Sequence, residues 1–406
     1  MIVFWEDGLQ EDMGKEAQDM AVLGIVAEYN PFHNGHLRHL REAAAAVSPS
    51  AVLVALSGPV TQRGEVPLLS PWARAECALA AGADAVFSMP VLWTVRDAEH
   101  YALGAVSLLA SLGADSLAFG AETEDLSLLR QTADLLESSP ASFRSALKAF
   151  LSEGFGYPAA LSRAAGLVLP ESEALLRQPN NILAVCYLRA IRRLDVPVTP
   201  VLIPRPAGYR AERIDPAAPS ASAVREALYR GAWPQALSAL PPNSRQAVRS
   251  AFLSGSVPDP RVLDALLLNR LRSMSDDEWN SLPDGEDGLS AALRKAASGA
   301  NSRSQLIALG TTRRHPSARV SRLCACALLG ITRSDLAGAA LPRSALLLAL
   351  KKNPLLTARW KELAMPASPA RWLESAGTAE QAAWRLWGLC CGLPGSFPWT
   401  CRTIVS

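Results

Sequence analysis

Short apolar runs alternate with helical-period segments through the first half of the chain. Val22 to Ala27, Val52 to Leu56, Ala85 to Phe87, Ser116 to Phe119 and Val198 to Ile203 have the length and content of buried strands. Between them, from Asn34 onward, from Trp72 to Ala81 and over most of residues 124–195, apolar positions recur at helical spacing. Breaks fall at Gly154 to Pro158 and at Gln178-Pro179-Asn180-Asn181. The alternation predicts a parallel sheet with right-handed helical crossovers.

Beyond residue 240 the strand pattern stops. Leu263 to Leu271, Leu289 to Ala297, Val320 to Leu329 and Ala345 to Leu350 all read as amphipathic helices, and Pro241-Pro242 marks a boundary. Residues 1 to 19 carry six acids and one lysine without strand or helical period. The expected organisation is a disordered extension over 1–20, a sheet domain over 21–240 with a helical insertion, and an all-helical domain over 241–406.

Composition agrees with a large folded protein: 406 residues, 49% apolar, net charge +2. No apolar run reaches the 18 residues of a membrane span, and the acidic start is unlike a signal peptide, so a cytoplasmic protein is expected. Seven cysteines include Cys324, Cys326 and the pair Cys390-Cys391, without the second pair or nearby histidine of a zinc site. They read as reduced thiols.

The first strand runs into Asn30-Pro31 and then His33-Asn34-Gly35-His36 at a helix start. Two histidines three apart share a helix face, beside the free N–H groups and positive dipole end of that helix. Gly35 lets a phosphate or base approach the backbone closely. Such imidazoles can donate hydrogen bonds to phosphate oxygens as charge builds; simple capping of the helix is the competing reading. The end of a first strand is where an open α/β sheet binds its ligand.

Further candidates sit on similar loops. Arg63, in Ser57-Gly58-Pro59-Val60-Thr61-Gln62-Arg63-Gly64-Glu65, suits a phosphate or carboxylate, or is merely solvated. Gly120 ends a strand, where it either turns the chain or lets a nucleotide lie on the backbone. Asn180 and Asn181 either cap a helix or bind ribose or base. Ser220-Ala221-Ser222-Ala223-Val224-Arg225 opens a helix with two hydroxyls and an arginine one turn on, a phosphate-binding arrangement. Residues 299–332 hold Arg303, Arg313, Arg314, Arg319 and Arg322 and no acid. That run is either a solvated face or an RNA phosphate surface.

HNGH resembles the HxGH signature of the nucleotidyltransferase superfamily, and GIVAEYNPFHNGH resembles the tRNA(Met) cytidine acetate ligases within it. The segment with QRGE, the PNNIL run, the AGY that follows Arg205 and the SASAVR helix start, similar to ISSTxxR, extend the likeness over residues 21 to about 335. Pro59 stands where the family has Asn. The resemblance implies a Rossmann-like sheet of the HxGH nucleotidyltransferase type. It implies ATP contacts from Val26, Ala27, Glu28, Tyr29, Asn30, Pro31, Phe32, Asn34, Gly35, Gly120, Asn180, Asn181, Arg205, Ser222 and Arg225. His33 and His36 would stabilise charge on the phosphates, with Arg225 and Arg63 assisting.

It further implies a reaction: acetate attacks the α-phosphorus of ATP, and the wobble cytidine of elongator tRNA(Met) takes the acetyl group from the adenylate. Mg²⁺ would accompany ATP. Arg313, Arg314, Arg319 and Arg322 would hold the tRNA, far from the nucleotide signatures. Two other readings remain at this stage. A small-molecule adenylyltransferase would share both signatures without needing the helical part; a non-catalytic RNA-binding protein would use the arginines but not HNGH.

Overall fold

The computed structural model describes residues 21–205, 214–217, 219–285, 288–352, 369–394 and 403–405. The extension expected over 1–20 lies outside them, as do the residues of the AGY run. Five parallel strands follow the expected runs: β1 (Val22–Ala27), β2 (Ala51–Ser57), β3 (Ala85–Met89), β4 (Ser116–Ala121) and β5 (Thr199–Pro204).

Both faces of this sheet are covered, which is why its strands are continuously apolar. On β1 and β2, Leu23, Ile25, Val52, Val54 and Leu56 face α1 (Asn34–Val47) and α2 (Pro71–Ala81). On the other face, Leu53 and Ala55 meet α3 (Ala98–Ser111), α4 (Leu126–Ser138) and α7 (Pro179–Leu194), numbered with α5 (Ala141–Ser152) and α6 (Tyr157–Val168) lying between. Burying each such leucine stabilises the fold by roughly 1.5–3 kcal/mol. Local chemistry sets the helix starts. Ser70 accepts the Ala73 N–H with Pro71 in the first turn of α2, and Asp97 accepts the Glu99 and His100 N–H groups to start α3.

The strand order is β5-β4-β1-β2-β3-β6-β7. The chain leaves β1 toward β2 and β3, then returns to its other side for β4 and β5. The connections therefore diverge between β1 and β4, and a crevice opens at the carboxyl ends of those two strands.

The sequence after residue 240 departs from the all-helical expectation. Leu346–Leu350, read as a helix, is β6, antiparallel to β3, and Ile404–Val405 is β7, parallel to β6. The six leucines and alanines from Ala345 to Leu350 carry no period that separates a buried strand from a buried helix, and pairing with β3 decides for a strand over Leu346–Leu350. The remainder is helical: α8 (Ala221–Tyr229) precedes the boundary, followed by α9 (Pro260–Ser273), α10 (Leu289–Gly299), α11 (Arg303–Gly310), α12 (Ser317–Leu329) and α13 (Thr378–Cys390). Helices α9 to α12 share a core around Leu267, Leu271, Leu293, Leu306, Val320 and Leu323. A second cluster joins them to the sheet, with Val60, Val91 and Val95 against Cys326, Leu329 and Leu386. No helix among the described residues is long and apolar enough to cross a membrane.

Candidate active site

The HNGH turn is built by two histidines that fasten each other. The His36 backbone N–H donates to His33 Nδ1 at 3.3 Å, and the His33 N–H donates to His36 Nδ1 at 3.2 Å. Their rings stack 3.5 Å apart, at an angle of 12°. Because each Nδ1 accepts from backbone, hydrogen bonding assigns the protons of both neutral rings to Nε2. Burial, then Arg205, holds His33 down at about 3; burial, then His33, holds His36 well below its ordinary value. They are therefore neutral Nε2–H donors. His33 is fully buried, and among the described residues its Nε2 has no hydrogen-bond partner. Such an orphaned donor calls for an acceptor from outside the chain. Gly35 is needed for this packing, since a Cβ there would lie 3.1 Å from the His33 ring.

Around this turn lies a cleft of 380 Å³, a size that suits a small-molecule ligand. It is lined at the β1 end by Val26, Ala27, Glu28, Tyr29 and Asn30, and at the β4 end by Phe119 and Gly120. His36, His39, Gln62, Arg63, Glu65, Asn180, Arg205, Ser222 and Arg225 complete the polar lining, and Ala98, Tyr101, Leu183 and Tyr187 add an apolar wall. The fold thus brings both sequence signatures to one crevice. Arg225 links them directly, donating to the Asn30 carbonyl at 2.8 Å and pairing with Glu65 at 2.7 Å. Ser220, not Ser222, accepts the Ala223 N–H and caps α8, while Ser222 lines the cleft with its hydroxyl hydrogen-bonded to Ser220 Oγ at 3.1 Å.

On the opposite wall, Arg205 donates to Asn180 Oδ1 at 2.8 Å, and Asn180 Nδ2 donates to Glu122 Oε1 at 2.6 Å. A Cβ on Gly120 would press 3.3 Å from the Arg205 side chain, so glycine leaves that wall open. Tyr29 adopts φ 47°, in the left-handed region; its buried hydroxyl and Asn30 Nδ2 have no partner among the described residues, whereas Asn30 Oδ1 accepts the Leu68 N–H at 2.8 Å. These donors also point to a polar ligand.

Several expected contacts are otherwise engaged. Asn34 turns away from the cleft, with its amide on the Pro216 and Ser238 carbonyls at 2.9 and 3.2 Å; its identity serves packing of the turn. Asn181 accepts the Glu122 and Thr123 N–H groups and donates to the Leu175 carbonyl, so it shapes the loop that carries Asn180. Pro31 and Phe32 are buried behind the turn and do not line the cleft.

Sequence reasoning gave no role to Glu122, which holds both asparagines, or to Glu65. It missed Arg74 altogether. That arginine is fully buried on α2 and donates to the carbonyls of Leu69 at 3.2 Å, Glu28 at 2.7 Å, Ser57 at 2.9 Å and Gly58. Burial lowers it to about 9, with Glu28 the first group opposing the shift. It ties together the loops after β1 and β2. Nothing in an alanine-rich helical segment marked it.

The arginine run also needs correction. It is free of acids in sequence but not in space: Arg319 pairs with Asp284 at 3.5 Å. Arg322 is half-buried, with Asp97 and Asp284 as its carboxylate neighbours. Nor is it far from the nucleotide signatures. Ser321 donates to the Arg63 carbonyl, and Arg303 donates to the Gly64 carbonyl at 3.1 Å, so α12 sits on the QRGE loop. Arg313 and Arg314 remain exposed. A larger hollow of 590 Å³ between α2 and the helix Pro242–Leu253 has Glu76 as its one charged lining residue among the described residues and contains neither signature.

A family model for the HIGH nucleotidyl transferases matches residues 20–358. The chain is 35% identical over 324 residues to the tRNA(Met) cytidine acetate ligase of Syntrophomonas wolfei, covering 78% of each. With that of Syntrophotalea carbinolica the identity is 36% over 335 residues, covering 82% of this chain and 79% of the relative. The crystal structure of Thermotoga maritima TmcAL shares the fold, with a TM-score of 0.88 at 24% identity over 95% of this chain and 99% of that one. The same protein bound with alpha-thio ATP gives 0.86. The family model spans β1 to β6, both signatures and the arginine run, and the chain belongs to the tRNA(Met) cytidine acetate ligase family of HIGH nucleotidyltransferases.

Proposed function

We propose that the protein is an ATP-dependent ligase that activates acetate and acetylates the wobble cytidine of elongator tRNA(Met) to N4-acetylcytidine. The observation that carries this reading is the buried, unpartnered His33 Nε2 beside a cleft that gathers His36, Arg205, Ser222 and Arg225. Such a set of fixed donors suits a triphosphate. A carboxylate oxygen of acetate attacks the α-phosphorus, the bond to the β-phosphate oxygen breaks, and pyrophosphate leaves. The N4 amine then attacks the acetyl carbonyl; a C–N bond forms, AMP departs with the electron pair of the mixed anhydride, and the amine proton goes to solvent or a cleft base.

In this scheme His33 and His36 donate Nε2–H to phosphate oxygens, Arg225 and Arg63 balance developing charge, and Asn180 aims Arg205. Ser222 adds a hydroxyl to a phosphate oxygen, and Gly120 lets the nucleotide rest on β4. Asn34 and Asn181 act indirectly, through the turn and the loop they hold. Among the described residues no three His, Cys, Asp or Glu side chains converge as a metal cage. Mg²⁺ would accordingly enter on the triphosphate, neutralising it. The exposed Arg313 and Arg314 supply the RNA phosphate contacts, and a tRNA substrate places the reaction in the cytoplasm.

The test is incubation of the protein with ATP, labelled acetate and a tRNA(Met) transcript. Label in N4-acetylcytidine at the wobble position supports the reading. Pyrophosphate exchange that needs a phosphorylated metabolite instead of acetate would replace it with a cofactor adenylyltransferase.

A further inference from the structure

Between α5 and α6 the chain passes through Glu153 to Gly156, and Tyr157 is the first residue of α6. The Phe155 ring carries two guanidinium groups, Arg163 at 4.1 Å and Arg313 at 4.5 Å from its centroid, and meets Phe150 edge-on at 5.9 Å. Gly156 lies so near the arginine loop that a Cβ would stand 2.5 Å from the Arg313 carbonyl oxygen. The two turns are locked together by these contacts and form one ledge.

Tyr157 projects from that ledge with 55% of its surface exposed. Tyr229, another exposed aromatic, donates its hydroxyl to the Pro258 carbonyl at 3.0 Å and packs on Phe252. Tyr157 has a different neighbourhood. Its chain neighbour Gly156 abuts the backbone of the exposed Arg313 and Arg314, and partial burial, then Glu99, raises its hydroxyl. Asp97 and Glu99 flank Ala98, which lines the nucleotide cleft. An exposed aromatic ring thus stands one residue from the contact with the arginine loop.

An exposed aromatic near exposed guanidiniums suits an unpaired nucleotide: the ring takes the base, and the cations take the phosphates. We propose that Tyr157 is a stacking platform for an unpaired base of the tRNA anticodon loop as the target cytidine enters the cleft. This rests on the ligase reading above. The rigidity of the ledge lowers the ordering cost of binding, because the ring is presented before RNA arrives.

The experiment measures binding of a tRNA(Met) transcript at several salt concentrations by parent, Tyr157→Ala, Tyr157→Phe and Arg314→Ala proteins. Acetate-dependent pyrophosphate exchange in each preparation reports an intact fold. Loss of one stacked base should weaken binding by Tyr157→Ala roughly five- to a hundredfold with the salt slope unchanged. Tyr157→Phe should stay within about twofold, because stacking needs the ring and not the hydroxyl. Arg314→Ala should make the log–log salt slope shallower by on the order of 0.7–0.9. Tyr157→Ala binding within twofold of the parent overturns the proposal, as does a loss equalled in pyrophosphate exchange. If Arg314→Ala alone weakens binding, the stacking site fails while the ligase reading stands; a parent that transfers acetyl to no tRNA fails the ligase reading itself.

Discussion

His33 and His36 combine two tasks in a few atoms. Each Nδ1 closes a backbone hydrogen bond, so each Nε2 is committed to donating, and neither ring can rotate without opening the helix start. A donor fixed in this way strengthens with the charge that forms in the transition state. His36→Ala should therefore lower the rate of acetate-dependent pyrophosphate exchange by roughly ten- to a thousandfold, about 1.4–4 kcal/mol, with the fold retained by circular dichroism. A rate within twofold of the parent would remove this imidazole from the chemistry. The same burial makes the site sensitive to acid. His39 is held at about 4 by burial and then by Arg205 and Arg38, against an ordinary value near 6.5. An unfolded chain gains a proton there as pH falls through 6.5, while the folded one resists until about 4, so stability is present above 6.5 and lost progressively below it. His39→Gln should flatten that acid limb by up to about 3 kcal/mol near pH 4, read from urea unfolding at several pH values.

At the scale of elements, the parallel strands were legible because the apolar runs and the helical-period segments between them agreed, whereas the caps Ser70 and Asp97 were not singled out. Both signatures could be read from residue type and position. What could not be read was a role assigned only by tertiary contact. Arg74 binds carbonyls from the loops after β1 and β2, and Asn34 faces segments some 180 to 200 residues later. Likewise Leu346–Leu350 is told from a helix only by its partner β3. That pairing has a measurable result. Leu348 is fully buried against the same core as β1 and α2, so Leu348→Ala should cost about 2–5 kcal/mol in a single unfolding transition followed by tryptophan fluorescence. An independent helical unit would instead give an early separate transition with the sheet unaffected.

Across the whole molecule, the helices that flank the Arg313-Arg314 loop also hold the QRGE loop, whose Gln62, Arg63 and Glu65 line the cleft. Ser321 and Arg303 bond to the QRGE loop, while Arg319 and Arg322 of the same region face carboxylates. The four arginines are therefore unequal. Replacing exposed Arg313 and Arg314 together with Ala should make the salt dependence of tRNA binding shallower by on the order of 1.4–1.8, whereas Arg322→Ala should leave the slope nearly unchanged. Equal slopes from both variants would argue that the carboxylates release Arg322 when RNA binds.

Arg74 has a consequence for anyone wishing to move this chemistry to another scaffold. Its guanidinium hydrogen-bonds main-chain carbonyls, Glu28 is the first carboxylate whose charge acts on it, and it does not itself line the cleft. A graft that copied every cleft-lining side chain onto a foreign sheet would leave this hidden strut behind, and the loops after β1 and β2 would have nothing to set their spacing. Lysine has a single point charge in place of a planar fork and would not span the same carbonyls. The smallest transplantable unit is thus the cleft together with one arginine that lies beneath it.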